Sequence, residues 1–131
     1  MILYVIFNLF VIAPFIEWGI HYGIHRPPPL QYHKNHHLAY YKKAPIYEFW
    51  VIPVILLFYY MTWYLTSLGF LKYTLVHNII HYFPNALPSL TRHHLIHHED
   101  PKVNFAVSAI FPDKIMGTHG KYFPSEKIVK I

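Results

Sequence analysis

The chain has 131 residues, of which 54% are apolar, 19% aromatic and only 13% charged, whereas ordinary soluble domains are roughly 25% charged. One domain over residues 1–131, embedded in a membrane, is the expectation for that length and composition. The net charge of +5 is scattered among apolar stretches, which argues against nucleic acid as a partner, and the lack of cysteine excludes disulfides, thiolate metal sites and iron–sulfur clusters.

Met1 to Ile16 carries no charged side chain. It lacks the basic start and small-residue cleavage site of a secretory signal, so it is expected to anchor the chain in a membrane. The helix it begins should run to about His25, with Glu17, His21 and His25 in its last turns, and end at Arg26-Pro27-Pro28-Pro29, where proline breaks the hydrogen-bond ladder. A short helix from about Leu30 to Tyr40 then carries His33, His36 and His37, and Lys42-Lys43-Ala44-Pro45 forms a polar break.

Phe49 to Leu71 is again uncharged and exceeds the about 20 residues that a spanning helix needs. Tyr47 to Tyr82 must double back as a hairpin if His77 and His81 are to meet the earlier histidines. Gly69 is the obvious tip, while a tip between Tyr59 and Tyr64 gives better balanced arms. Tyr59, Tyr60, Trp63 and Tyr64 suit an interfacial aromatic belt better than the wall of a substrate channel. Phe83-Pro84-Asn85 stops the returning helix, and Pro88-Ser89 opens another, with Ser89 as its expected N-cap. This helix holds His94, His97 and His98 and ends near Asp100-Pro101, and the chain from Lys102 onward reads as loop. The fold expected is all-α: an integral membrane protein with an N-terminal membrane helix, one membrane hairpin and short ligand-bearing helices. Arg26, Lys34, Lys42 and Lys43 lie between Glu17 and Glu48 with no acid among them. Together with the basic C-terminal segment they put the ligand helices on the cytoplasmic face by the positive-inside rule.

The histidines carry the chemistry. There are 12, and ten fall in four blocks: His21 and His25, His33 with His36 and His37, His77 and His81, and His94 with His97 and His98. The spacing alternates HxxxH and HxxHH twice, which suggests a two-halved site. Residues three and four apart share a helix face, so each block aims its imidazoles together, and imidazole suits zinc, copper, iron and nickel. Ten nitrogens exceed what one ion can use and suit two ions with open positions, where dioxygen could be activated. His93 points about 100° away from His94 on the same helix, so it is expected behind the site or at the surface, and His119 is expected outside it. A metal-bound histidine normally needs an acceptor for its second ring N–H. Glu17, one turn before His21, is the expected partner, with Glu99 and Asp100 next.

With these blocks in place, the chain resembles the fatty acid hydroxylase/sterol desaturase superfamily of membrane di-iron oxygenases from about Glu17 to Thr118. The resemblance rests on Glu17-Trp18 before the first block, Tyr32 to His37, Thr74-Leu75-Val76-His77, and the closing run His93 to Thr118 with its Asp-x-x-x-Gly-Thr element, Asp113 to Thr118. The closing run is most like fatty acid 2-hydroxylases, whereas the HxxxH spacing of the first block is nearer to sterol-type relatives. The resemblance implies two iron ions, replaceable by zinc in recombinant protein, with O2 as cosubstrate. It also implies electrons from a separate donor such as cytochrome b5 and its NAD(P)H reductase. The expected function is hydroxylation of a lipid, a fatty acyl chain or sphingolipid, in the endoplasmic reticulum membrane of a eukaryote or the inner membrane of a bacterium.

Three alternatives stay open: a fatty acid or sterol desaturase, a sterol methyl oxidase, and a truncated metal-binding homologue without catalysis. Relatives usually have two membrane hairpins, so a homo-oligomer that completes the membrane packing is a further expectation. A metal transporter would want ionisable ligands within the bilayer, and Phe49 to Leu71 has neither acid nor histidine. A haem cytochrome would leave the closely spaced triplets unexplained.

Overall fold

The computed structural model describes residues 1–27, 31–39, 51–60 and 63–120. Lys42 to Pro45 and the chain beyond Gly120 lie outside them. The described residues are helical, with no strand among them. In order they form α1 (Ile2–Phe7), a π-helical segment (Asn8–Ile12), α2 (Ala13–Ile24), α3 (Gln31–Ala39), α4 (Val51–Tyr60), α5 (Tyr64–Tyr82), α6 (Pro88–Glu99) and α7 (Phe111–Met116). The first three elements are one continuous helix, Ile2–Ile24, long and apolar enough to cross a membrane. Its first half exposes Ile2, Leu3, Tyr4, Ile6, Phe7 and Phe10, as a helix does when apolar all round and lacking a protein partner on most sides.

A π turn holds one extra residue and frees backbone groups from the α-helical ladder. Here Lys72 on α5 donates to the Leu9 carbonyl at 2.5 Å, with its ammonium 5.0 Å from the centroid of the Phe10 ring. One turn further on, α2 and α5 approach so closely that a Cβ at Gly69 would lie 2.7 Å from the Cβ of Ala13. Gly69 is therefore a notch for the N-terminal helix rather than the tip of the hairpin. α4 ends at Tyr60 and α5 begins at Tyr64, and the two helices pack against each other. Ser67 Oγ donates to the Ile55 carbonyl at 3.1 Å across the pair. Tyr59, Tyr60, Trp63 and Tyr64 are all exposed around these helix ends, as an aromatic belt requires.

The core joins α2, α4 and α5 to the long segment between α6 and α7. Val51, Phe70, Tyr73, Ile80 and Val107 are buried together, with Ile16, Ile20 and Leu90 packed against them. In α6, Pro88 sits in the first turn, where its missing N–H costs nothing, and the N-cap is Leu87 without a side-chain bond. Ser89 is thus inside the helix and is not the cap. The C-terminal stretch is less loop-like than its glycines suggest. It contains α7, opened by Pro112 and closed by Gly117 in the left-handed region at φ 74°, the conformation that glycine adopts without a Cβ penalty.

Candidate metal centre

α2, α3, α5 and α6 converge at one end, and the ten block histidines meet there in two groups of five. His21, His25, His33, His37 and His97 form one, and His36, His77, His81, His94 and His98 the other. Within each, one ring nitrogen per residue lies within 4.8 Å of all the rest, so either group could hold a metal ion. Helix geometry explains the sorting. At about 100° per residue, positions i and i+4 diverge by about 40°, whereas i+3 lies about 100° from i+4. Each HxxxH block therefore goes whole to one group: His21 and His25 to the first, His77 and His81 to the second. Each HxxHH block splits. α3 gives His33 and His37 to the first group and His36 to the second, while α6 gives His94 and His98 to the second and His97 to the first. The groups abut, with the His37 and His98 ring centroids 4.4 Å apart.

The donor set fits a cation. His21 Nδ1–H donates to the Phe105 carbonyl at 2.5 Å and His97 Nδ1–H to the Val103 carbonyl at 2.6 Å. A neutral imidazole has one N–H, so in both rings Nε2 is left as a bare lone pair. These lone pairs face other imidazoles: His21 Nε2 is 2.8 Å from His33 Nε2, and His97 Nε2 is 3.0 Å from His25 Nε2. His25 and His33 are themselves 2.9 Å apart at Nε2, and His25 and His21 are 3.3 Å apart. A single proton cannot satisfy the triangle of His21, His25 and His33, whereas a metal ion among them takes every lone pair. The second group repeats the triangle, with Nε2 separations of 3.0 Å for His77–His94, 3.2 Å for His81–His77 and 3.2 Å for His81–His94.

Burial prepares these rings for ligation. It lowers His25 and His37 to about 4, with the neighbouring His25 adding to the effect at His37. Burial first, and neighbouring imidazoles second, hold His33, His36, His94, His97 and His98 well below the ordinary histidine value. At neutral pH these rings are neutral, and a metal need displace no proton from an imidazolium.

The other expected residues lie outside both groups. His93 is buried behind them, its Nε2–H donating to Asp113 Oδ2 at 2.9 Å, and His119 stacks on it at 5.5 Å. The hydrogen bonds of Glu17 run to a loop and not to a histidine. Its carboxylate accepts from the Val107 amide, from the Ser108 amide at 2.7 Å and from Ser108 Oγ at 2.7 Å. Glu99 and Asp100 are exposed, and Asp100 accepts from the Lys102 amide at 3.1 Å. The acceptors that hold His21 and His97 are backbone carbonyls, which leave no mark in a sequence. Asp113 does leave one, as the first residue of the Asp-x-x-x-Gly-Thr element, but its hydrogen bonds could be assigned only once the loop it holds was folded.

A cavity of about 300 Å³ opens on the site. It is lined by Ile24, His25, His33, Lys34, His37, His98 and Pro101, and so touches both groups at once.

The fold and site define a helical protein with a candidate membrane helix and paired all-histidine clusters able to hold metal. A family model for fatty acid hydroxylases matches residues 6–118, and the chain belongs to that family. Membership implies a membrane-associated, histidine-rich oxygenase, an oxidoreductase. No curated protein and no solved structure matches the chain.

Proposed function

We propose that the chain is a membrane di-iron oxygenase that hydroxylates a lipid, either a fatty acyl chain or a sphingolipid. Electrons come from a separate donor such as cytochrome b5 and its reductase. The observation that carries this reading is the pair of five-imidazole groups sharing one wall, with a single cavity touching both. Five neutral donors per group exceed the four of a structural zinc site, and a six-coordinate ion would keep a position open. Iron is the redox-capable choice among imidazole-binding metals. When bound, the two irons supply the oxidising power with which O2, two electrons and two protons convert a C–H bond into C–OH and water.

The protein's own residues do the rest. The Nδ1–H bonds to the Phe105 and Val103 carbonyls keep His21 and His97 aimed inward. Burial of His33, His36, His77, His94 and His97 keeps bulk water from the reacting face. The cavity brings the substrate carbon alongside His25, His37 and His98, and Lys34 at its edge is exposed and can face an anionic head group. The helix Ile2–Ile24 crosses the bilayer, and the α4–α5 hairpin enters it with its aromatic turn away from the histidines. Arg26, Lys34 and Lys102, near the site in sequence, support a cytoplasmic face by the positive-inside rule. That face belongs to the endoplasmic reticulum in a eukaryote or the inner membrane in a bacterium. The exposed apolar residues of α1 and α4 meet lipid or a second copy of the chain.

The test is lipid analysis by mass spectrometry in cells expressing the protein with a reductase system under ¹⁸O₂. Label in a new hydroxyl is the expected result, and the resemblance of the closing run points to the 2-position of an acyl chain. A new double bond without label would instead assign a desaturase. Neither product from protein holding two irons would leave a metal-binding homologue without catalysis.

A further inference from the structure

Between α6 and α7 the chain runs without regular structure through the heart of the protein, and residues 104–107 are fully or almost fully buried. Buried backbone N–H groups need acceptors, and four successive ones here find them on two carboxylates. Phe105 N–H donates to Asp113 Oδ1 at 2.8 Å and Ala106 N–H to Asp113 Oδ2 at 2.9 Å. Val107 and Ser108 N–H both donate to Glu17 Oε1. Asn104, left-handed at φ 57°, ties the start of the segment to α6 through Nδ2–H to the His93 carbonyl at 3.1 Å. Asp113 is held in turn by His93 and by Thr118 Oγ at 2.7 Å, which accepts from the Trp18 indole at 2.9 Å. The carbonyls of the same segment, Val103 and Phe105, are the ones that accept from His97 and His21.

We propose that Val103 to Ser108 is a backbone clamp that selects the Nδ1–H tautomer of His21 and His97 and aims both at the first histidine group. Glu17 and Asp113 are the positioning residues that hold it. The clamp reaches two helices that are distant in sequence, α2 and α6, and makes them present lone pairs to one point. Glu17 thus serves His21, one turn away on its own helix, through the opposite partner, a loop some ninety residues later rather than by direct contact. The inference deepens the metal-site reading, since the aim of the two rings matters to an ion bound there, but the tautomers themselves can be read without any ion.

Two measurements test it. In metal-free wild-type protein in detergent, ¹⁵N spectra of labelled histidine should show His21 and His97 protonated at Nδ1 and bare at Nε2. The opposite tautomer at either would overturn the clamp, whatever the metal content. The second measurement is cobalt(II) affinity in two backgrounds. Where His77→Ala, His81→Ala and His94→Ala leave the first group as the only complete one, Glu17→Leu should weaken binding by about 10–100-fold, the usual effect of removing support behind a ligand. Glu17→Gln should restore it, because the amide oxygen still accepts both N–H groups and its NH2 can donate to Ser108 Oγ. Where His21→Ala, His25→Ala and His33→Ala leave the second group as the only complete one, Glu17→Leu should change binding little. Equal weakening in the two backgrounds, or no rescue by glutamine, would refute the positioning role. Should Glu17→Leu fail to fold, the wild-type spectra still decide. Absence of cobalt binding by the wild type, with the expected tautomers present, would sink the metal reading and leave the clamp standing.

Discussion

Replacing His97 by alanine should disable the centre to which its neighbours on α6 do not belong. His97 lies one residue from His98 and three from His94, yet its ring faces His21 and His25, with His25 Nε2 at 3.0 Å. A four-ligand protein zinc site is worth about 10–16 kcal/mol, so one ligand carries about 3 kcal/mol, or about 100-fold in affinity. His97→Ala takes one of five donors from the first group and none from the second. Titration with a chelator should therefore remove one ion per chain about 100-fold more readily than the other. His94→Ala should also release one ion, but from the second group. Double variants separate the cases: His97→Ala with His25→Ala should still retain one tightly held ion, whereas His97→Ala with His81→Ala should weaken both. Product formation should be lost in every variant, since the proposed chemistry needs both ions. If His97→Ala and His94→Ala prove to weaken the same ion, the helical sorting of the HxxHH blocks is wrong.

Three further predictions follow from the fold. Gly69→Leu should lower the melting temperature in detergent, by about 1–3 kcal/mol or more of stability as overpacking costs, because even a Cβ there meets Ala13 at 2.7 Å. Ala13→Gly should recover part of the loss, and no change in melting would refute the close approach of α2 and α5. As the chain has no cysteine, single cysteines at Lys34, Tyr60 and Lys102 can be probed with an impermeant thiol reagent; Tyr60 should label from the side opposite the other two, and same-side labelling would make the hairpin a shallow re-entrant loop. The metal-free protein should lose stability as pH falls from about 6.5 to about 4: the unfolded histidines take up protons near 6.5, but folded His25 and His37 only near about 4, so the unfolded state binds more protons across that window. A melting temperature that rises on acidification would contradict this sign.

The histidine blocks were legible because helical periodicity is written in the sequence. HxxxH and HxxHH state which rings share a face, and the two-fold alternation already implied two halves. Which imidazole joins which half was not legible, since it depends on how α3 and α6 are rotated towards α2 and α5 in the folded chain. The hairpin was readable from the uncharged stretch and the need to return His77 and His81, but Gly69 competes with the tyrosine-rich segment as a turn. Only the packing of α2 shows that the missing side chain makes room for Ala13. Glu17 drew attention for the right neighbourhood and the wrong partner. Spacing along a helix places it near His21, but its acceptor oxygens turn to Val107 and Ser108, a contact between residues far apart in the chain. The helix α7 was hidden by its short length and by Gly117 and Gly120 after it.

Lys72 sets the height of the N-terminal helix. Apart from the Gly69 notch that seats Ala13, a largely apolar rod lying against an apolar hairpin gains little from one vertical position over another. The bond from Lys72 to the Leu9 carbonyl, offered only where the helix widens into its π turn, breaks that indifference. It acts as a depth stop, holding the level of His21 and His25 to that of His77 and His81 on the far side of the same pair of helices. A polar contact remote from the histidines thereby works with the Gly69 notch to bring imidazoles from separate helices to one level.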